Sequence, residues 1–297
     1  MSDLIDYQSG FREHERVRKL IDLVPKEGET LLDAGARDGS LSVLLAEHFS
    51  TVTALDQNTP NVAHARVVSV QGDITALKFA DNSFDCVVCA EVLEHIPPHL
   101  LPQACSELQR VAASYLVIGV PYRQDIRVSR TTCYSCGQKN PPWGHVNVFD
   151  EQRLFSLFTG MDVVEISHVG ITTEATNAVA AFLLDLAGNP YGTYSQEEGC
   201  IRCGAQLKEP PPRNLLQRLC TKIAYTLNWV QSRFTRARPN WIHILFRKPK
   251  AVAPADSVSR SVLDASGAVS ATRNTTLRQR PLKAGLRFST KAVTPSR

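Results

Sequence analysis

Between Thr30 and Val120 the sequence alternates short apolar runs with amphipathic stretches, and this rhythm limits the possible folds more than any other feature. The apolar runs cover residues 30–34, 51–56, 66–70, 84–89 and 114–120. Their length suits strands embedded in a sheet rather than helices. The intervening stretches have helical spacing: residues 40–48 follow the first run, and Leu100, Ala104, Leu108 and Val111 recur on one face before the last. An earlier helix over residues 11–24 aligns Val17, Leu20, Ile21 and Val24 and covers a sheet face. Strands that cross over through helices make a parallel sheet, so the expected class is α/β. With 297 residues, 43% of them hydrophobic, the chain has material for a substantial core. The rhythm breaks over residues 121–147 and resumes with a helix near 149–158 and a strand near 161–169. It breaks again over 171–240, before Trp241–Arg247 reads as a final strand.

The first strand ends on Leu31-Leu32-Asp33-Ala34-Gly35-Ala36-Arg37-Asp38-Gly39, an acid followed by glycines at a strand-to-helix turn. Such a turn lets backbone approach a ligand and aims helix N–H groups at it. Alone, it serves nucleotide binding or plain loop geometry equally well. The next strand ends add weight. Asp56 closes the second strand about 20 residues beyond the turn, where a carboxylate can meet a ribose diol, and Asp73 follows the third. Each acid singly reads as an ordinary helix N-cap, but three in register favour a nucleoside. No Gly-x-Gly-x-x-Gly occurs at the first turn, which argues against a dinucleotide.

Residues 30–120 resemble the class I S-adenosylmethionine-dependent methyltransferases. Leu32-Asp33-Ala34-Gly35-Ala36-Arg37-Asp38-Gly39 is the glycine-rich motif, and Phe84-Asp85-Cys86-Val87-Val88-Cys89-Ala90-Glu91-Val92-Leu93-Glu94-His95-Ile96 looks like the fourth-strand motif of the ubiquinone-biosynthesis-type branch. The resemblance implies a Rossmann-like sheet of seven strands, mostly parallel with the last antiparallel, and S-adenosylmethionine as cofactor. It places Asp33, Gly35 and Gly39 against the methionine moiety, Asp56 at the ribose, Asp73 and Ile74 at the adenine, and Glu91 beside the sulfonium pocket. Arg37 departs from the glycine usual in the family; its side chain either crowds the turn or reaches out to a substrate anion. Methyl transfer displaces at an already activated carbon, so the enzyme chiefly aligns and desolvates the acceptor. For a hydroxyl acceptor the candidate bases are His145, His95, Tyr122 and Glu91. His95 reads equally as a cap or packing residue, and His145 as a loop histidine bonded to backbone.

Eight cysteines are present, and four form two Cys-x-x-Cys-Gly units, Cys133 with Cys136 and Cys200 with Cys203. This spacing turns two thiolates toward one point, and two such units supply the four ligands of a tetrahedral, structural zinc. Disulfides are disfavoured by the expected cytoplasmic location, and a redox pair would not need a second copy. Cys86 and Cys89 share the spacing but lie in a strand, where positions three apart face opposite ways, so they read as core, as do Cys105 and Cys220. In the resembled fold the loop after strand five and the hairpin between strands six and seven emerge on the cofactor side. Each carries one knuckle here, so one zinc would tie both insertions, 121–147 and 171–240, into a lid on a methyltransferase domain spanning 1–249.

Charge is uneven: residues 1–210 hold 16 Lys and Arg against 27 Asp and Glu, residues 211–297 hold 17 against 2. Residues 250–297 lack periodicity and are read as a disordered basic tail that could attract nucleic acid or another anion. Leu215, Leu216, Leu219, Ile223, Leu227, Val230 and Phe234 form a helical stripe with arginines and Lys222 interleaved. The stripe suits a membrane or anion surface, but the expectation is that it packs on its own domain. The opening residues lack the features of a secretory signal, and no apolar run approaches a membrane span, so a cytoplasmic enzyme is expected. Its expected substrate is a small or medium-sized metabolite, or a glycan or lipid precursor, methylated on oxygen or nitrogen. The alternatives are an RNA methyltransferase that uses the basic C-terminal region and a non-catalytic, zinc-bearing binding protein on the same scaffold.

Overall fold

A computed structural model of the chain describes residues 2–249; the basic stretch 250–297, read as a disordered tail, lies outside the described residues. Helix α1 (Ser2–Leu23) leads into β1 (Thr30–Ala34), α2 (Ser40–Leu45), β2 (Thr51–Asp56), β3 (Val67–Gln71), β4 (Phe84–Ala90), α3 (Leu101–Val111) and β5 (Ala112–Pro121). A small ribbon of β6 (Thr131–Thr132) and β7 (Lys139–Asn140) precedes α4 (Glu151–Leu157), β8 (Asp162–Val169), α5 (Ala178–Leu186), α6 (Leu215–Ser232) and β9 (Trp241–Arg247). The main sheet runs in the order β3-β2-β1-β4-β5-β9-β8. Strands β1 to β5 pair in parallel, while β9 is antiparallel to both β5 and β8. The chain therefore forms the expected Rossmann-like sheet of seven strands with the last one antiparallel.

Continuous apolar strands need cover on both faces, and the helices supply it. On one side Leu20 and Leu23 from the end of α1, with Val24 just after it, pack with Leu31, Val52, Cys86 and Val117. On the other, Leu101, Ala104, Leu108 and Val111 of α3 pack with Leu32, Val87 and Leu116, joined by Leu154 of α4. Cys86 and Cys89 fall into these opposite clusters, as alternation along a strand requires. Element boundaries shift modestly from expectation. Helix α2 stops at Leu45 because the next turn tightens, with the amides of Glu47 and His48 bonding three residues back. Helix α1 starts at Ser2, well before the expected residue 11, and no proline interrupts it.

The strand order reverses direction between β1 and β4, so a crevice opens beyond their carboxyl ends, where open α/β sheets hold ligands. Asp33 and Gly35 stand at one lip and Glu91 at the other. Antiparallel β9 brings its first residue to this same edge, since Trp241 pairs with Pro121 at the end of β5. Among the described residues no helix is long and apolar enough to cross a membrane.

Candidate active site

The turn after β1 is shaped by two left-handed glycines, Gly35 at φ 90° and Gly39 at φ 80°. A Cβ on Gly35 would run into Val92 and one on Gly39 into Val62, so space as well as backbone conformation excludes other residues. Asp33 is buried beneath the turn, where the Ser42 hydroxyl donates to its carboxylate at 2.6 Å. Burial pushes its carboxyl up to about 6, with the Ser42 bond opposing. Arg37 is also left-handed, at φ 50°. Its amide donates to Asp56 Oδ2 at 2.9 Å, while its guanidinium leaves the turn and pairs with Glu197 at 3.0 Å. The side chain thus reaches neither into the turn nor to a substrate anion, but to an acid of the chain's own second insertion.

Asp56 Oδ1 accepts the Asn58 amide at 3.3 Å. Asp73 is exposed and caps the following turn, accepting both the amide and the hydroxyl of Thr75 at 2.8 Å, while Ile74 beside it is buried. No helix directly follows Asp73, so in place of the helix N-cap read from sequence it closes a local turn. An ionised carboxylate offers about four acceptor positions, so these bonds leave capacity for a ligand at both acids.

At the end of β4, Glu91 sits at φ 57° and accepts the Trp241 indole N–H through Oε2 at 3.1 Å. Its Oε1 is buried with no hydrogen-bond partner, and Arg16 of α1 lies 3.9 Å from it. Burial raises the Glu91 carboxyl above the usual range, with Arg16 and Trp241 pulling back. Glu94 is fully buried with neither oxygen hydrogen-bonded, and burial followed by repulsion from Glu91 raises it further. His243 on β9 is equally buried and unpartnered, held neutral by burial and then by Arg16, with its pKa pushed down to about 3. A cleft of about 580 Å³ opens beside this buried cluster, lined by Glu91, Tyr122, Gln124, Trp143, His145 and Trp241 among others.

The other three of the four candidate bases fare differently from Glu91. The Tyr122 hydroxyl meets both Glu151 oxygens at 3.0 Å, so it is committed to α4 although the residue lines the cleft. His145 also lines the cleft; its Nδ1 lies 2.6 Å from Gln124 Oε1, and burial, then His95, pushes its pKa down to about 3. Because Gln124 Oε1 can only accept, the ring is a neutral Nδ1–H tautomer with Nε2 left as acceptor. His95 stands behind it, edge-on at 4.7 Å between ring centroids. Donor atoms of Glu94, His95 and His145 lie within 4.8 Å of one another, a set able to hold a cation. Sequence reasoning missed Arg16, Gln124, Trp143, Trp241 and His243 as site residues. The expected antiparallel last strand was the available signal for Trp241, since it brings the start of that strand to the carboxyl edge.

The two cysteine units close with the same bonds. In each, the amide of the first cysteine donates to the carbonyl five residues on, and the glycine amide donates back to the first cysteine's carbonyl. The four sulfurs gather within 4.8 Å, with Cys133 to Cys203 at 3.7 Å and Cys136 to Cys200 at 3.6 Å. The edge of a tetrahedron with Zn–S bonds of about 2.3 Å is about 3.8 Å. Other bonds join the same two insertions: Asn140 accepts the Ile201 amide at 3.0 Å, and Asn189 donates to Thr132 Oγ1 at 3.1 Å.

Residues 32–115 match the family described as Methyltransferase domain. The chain is 31% identical over 120 residues to the ubiquinone biosynthesis O-methyltransferase of Paracidovorax citrulli, covering 35% of this chain and 50% of that protein. It is 35% identical over 92 residues to the corresponding protein of Pseudomonas paraeruginosa, covering 27% and 40%. The chain thus spans half or less of the length of these relatives. Among solved structures, it is similar to the YcgJ protein of Bacillus subtilis, with a TM-score of 0.48, 13% identity, and coverage of 79% of this chain and 98% of that one.

Proposed function

Taking residues 32–115 as the domain of a class I S-adenosylmethionine-dependent methyltransferase, we propose that the chain methylates an oxygen or nitrogen of an acceptor held in the cleft beside Glu91. The acceptor is a small or medium-sized metabolite, or a glycan or lipid precursor. One observation carries this reading: Glu91 both follows directly on the end of β4, beside the glycine turn, and lines the wall of the 580 Å³ cleft, so a cofactor crevice and an acceptor space share a residue.

The residues fit the cofactor. Asp56 retains acceptor positions for a ribose diol, and Asp73 and Ile74, which follow β3, are assigned to the adenine. Gly35 and Gly39 open the turn toward the methionine moiety, with Asp33 beneath it. The unpartnered Glu91 Oε1 offers compensation to a sulfonium charge. When bound, the cofactor supplies an activated methyl carbon. The rest falls to the chain. Glu91, with its pKa raised, is the cleft group best matched to accept an acceptor's proton near neutrality. His145, kept neutral, receives a hydrogen bond at Nε2 and so orients the acceptor; His95 and Gln124 position its ring. Trp143 and Trp241 furnish apolar walls that keep water from the transferring group.

We further propose that Cys133, Cys136, Cys200 and Cys203 bind one zinc ion that ties the two insertions into a lid. Four thiolates complete its shell, so the metal is structural. An RNA acceptor is the weaker reading, because it leans on residues 250–297. A non-catalytic scaffold is weaker too, because Arg37, its main support, leaves the turn clear.

Titration calorimetry with S-adenosylhomocysteine tests the cofactor. Binding by the intact protein, weakened about tenfold or more by Asp56→Ala, is expected. Absence of binding by the intact protein would overturn the proposal.

A further inference from the structure

Helix α6 is inside out. Its buried side is small and polar: Thr221 and Ala224 are buried, Asn228 meets the Thr176 hydroxyl at 2.9 Å, and Gln231 accepts from Asn177 at 2.9 Å. Its other side, built from Leu216, Leu219, Ile223 and Val230 and continued by Phe234 just past its end, lies in solvent, with exposures from 43% at Ile223 to 83% at Phe234. This corrects the expectation that the stripe packs on its own domain. The neighbouring helix α5 repeats the arrangement, burying Ala180 and Ala181 while Val179, Phe182 and Leu186 are each more than half exposed. A helix normally hides its apolar stripe, and a set of large side chains left in water marks a surface meant for another phase or partner.

Charge selects the occupant. Arg218, Lys222 and Arg233 flank the apolar row of α6, and residues 211–249 contain no Asp or Glu at all. Trp229 is 59% exposed with the Arg233 guanidinium 4.6 Å from its ring centre, the amphipathic pairing that suits the level of lipid headgroups. A second copy of this face would bring like charges together, and so would the chain's own residues 250–297, which hold nine Lys and Arg against two acids. An anionic bilayer satisfies both the apolar row and the cations.

We propose that α6, assisted by α5, lies in the surface of an anionic membrane, with its apolar row in the acyl boundary and its arginines among the headgroups. The inference rests on exposure and charge, and stands whether or not the methyl-transfer reading holds.

The test is co-sedimentation of the full-length protein with vesicles of phosphatidylcholine alone and of phosphatidylcholine mixed equally with phosphatidylglycerol. Binding to the mixed vesicles alone is expected, with a blue shift of tryptophan emission that disappears in Trp229→Phe. The double variant Ile223→Glu and Phe234→Glu should bind about tenfold or more weakly. Binding unaffected by this variant would assign the attachment to the basic residues 250–297 and overturn the proposal. So would failure to bind, or self-association of the intact protein without lipid that the variant abolishes. If the variant loses its folded circular-dichroism signal, the Trp229 emission of the intact protein decides alone, and no shift on mixed vesicles overturns the proposal.

Discussion

Trp241 donates its indole N–H to Glu91 at 3.1 Å, joining the first residue of the last strand to the end of the fourth. The bond favours the ionised carboxylate against the burial that raises its pKa. Replacing Trp241 with Phe removes the donor, so the Glu91 pKa rises further. A reaction that uses the carboxylate as base is lost as pH falls through that pKa. The acid limb of kcat/KM should therefore move to higher pH in Trp241→Phe, at a stability cost of about 1 kcal/mol. A pH–rate profile checks this; an unmoved acid limb would remove Glu91 from the role of base.

Asp33 should cost the fold stability that its site needs. Its carboxyl is raised by burial to about 6, against 3.8 in an exposed setting. Between these values the folded chain holds a proton that the unfolded chain has released, so stability falls as pH rises through the window from about 4 to 6. Above it, the ionised group remains buried at a cost of about 2–3 kcal/mol. Asp33→Asn should raise the denaturation midpoint at neutral pH, and the advantage should vanish near pH 4. Urea titrations at the two pH values measure it. Weaker cofactor binding in the same variant would mark the residue as one kept for function.

How far these features were legible depended on whether local sequence or long-range packing decided them. The strands at 30–34, 51–56 and 241–247 were readable to the residue because continuous apolar runs ended by Asp33-Ala34-Gly35, Asp56 or Arg247 leave little freedom. The cysteine units were readable because two short repeats each make the same turn. The direction of α6 was not. Its period announced a helix, but which side faces the protein was settled by Thr176 and Asn177, whose polar groups pair with Asn228 and Gln231 from 52 and 54 residues away. Likewise Arg16 and His243 reach the site only because α1 and β9 are packed beside β5, a placement no local pattern encodes.

Arg37 holds a left-handed backbone that glycine would adopt without strain. Its ion pair with Glu197 joins two highly exposed side chains, and such pairs contribute about 0.5 kcal/mol or less. Arg37→Gly should therefore be neutral to stabilising by about 0.5 kcal/mol, with strain relief set against the lost pair and a freer unfolded chain. Because the guanidinium points away from the turn, affinity for S-adenosylhomocysteine should be unchanged. Thermal melting and calorimetry on the variant check both statements; a large loss of affinity would show that the side chain swings inward to touch the ligand.

The cysteine cluster predicts where stability resides when metal is removed. Both insertions meet at the four sulfurs, and the buried cluster around them is small, with Leu207 the main apolar contribution besides the cysteines themselves. So little apolar burial adds only weakly to the hydrogen bonds that join the two loops, and on the zinc proposal the metal bonds supply most of what fixes the four cysteines. Metal analysis should find one zinc per chain. Chelation, or Cys200→Ser, should then accelerate amide exchange around residues 131–140 and 199–207 by about two orders of magnitude, since opening there no longer breaks metal bonds. Amides of β1, β4 and β5 should keep their protection, because their core clusters share no residue with the cysteine site. Exchange in the loops that ignores the chelator, in protein isolated without metal and still folded, would defeat the zinc-tied lid and leave direct hydrogen bonds between the insertions, such as those at Asn140 and Asn189, as its fastening.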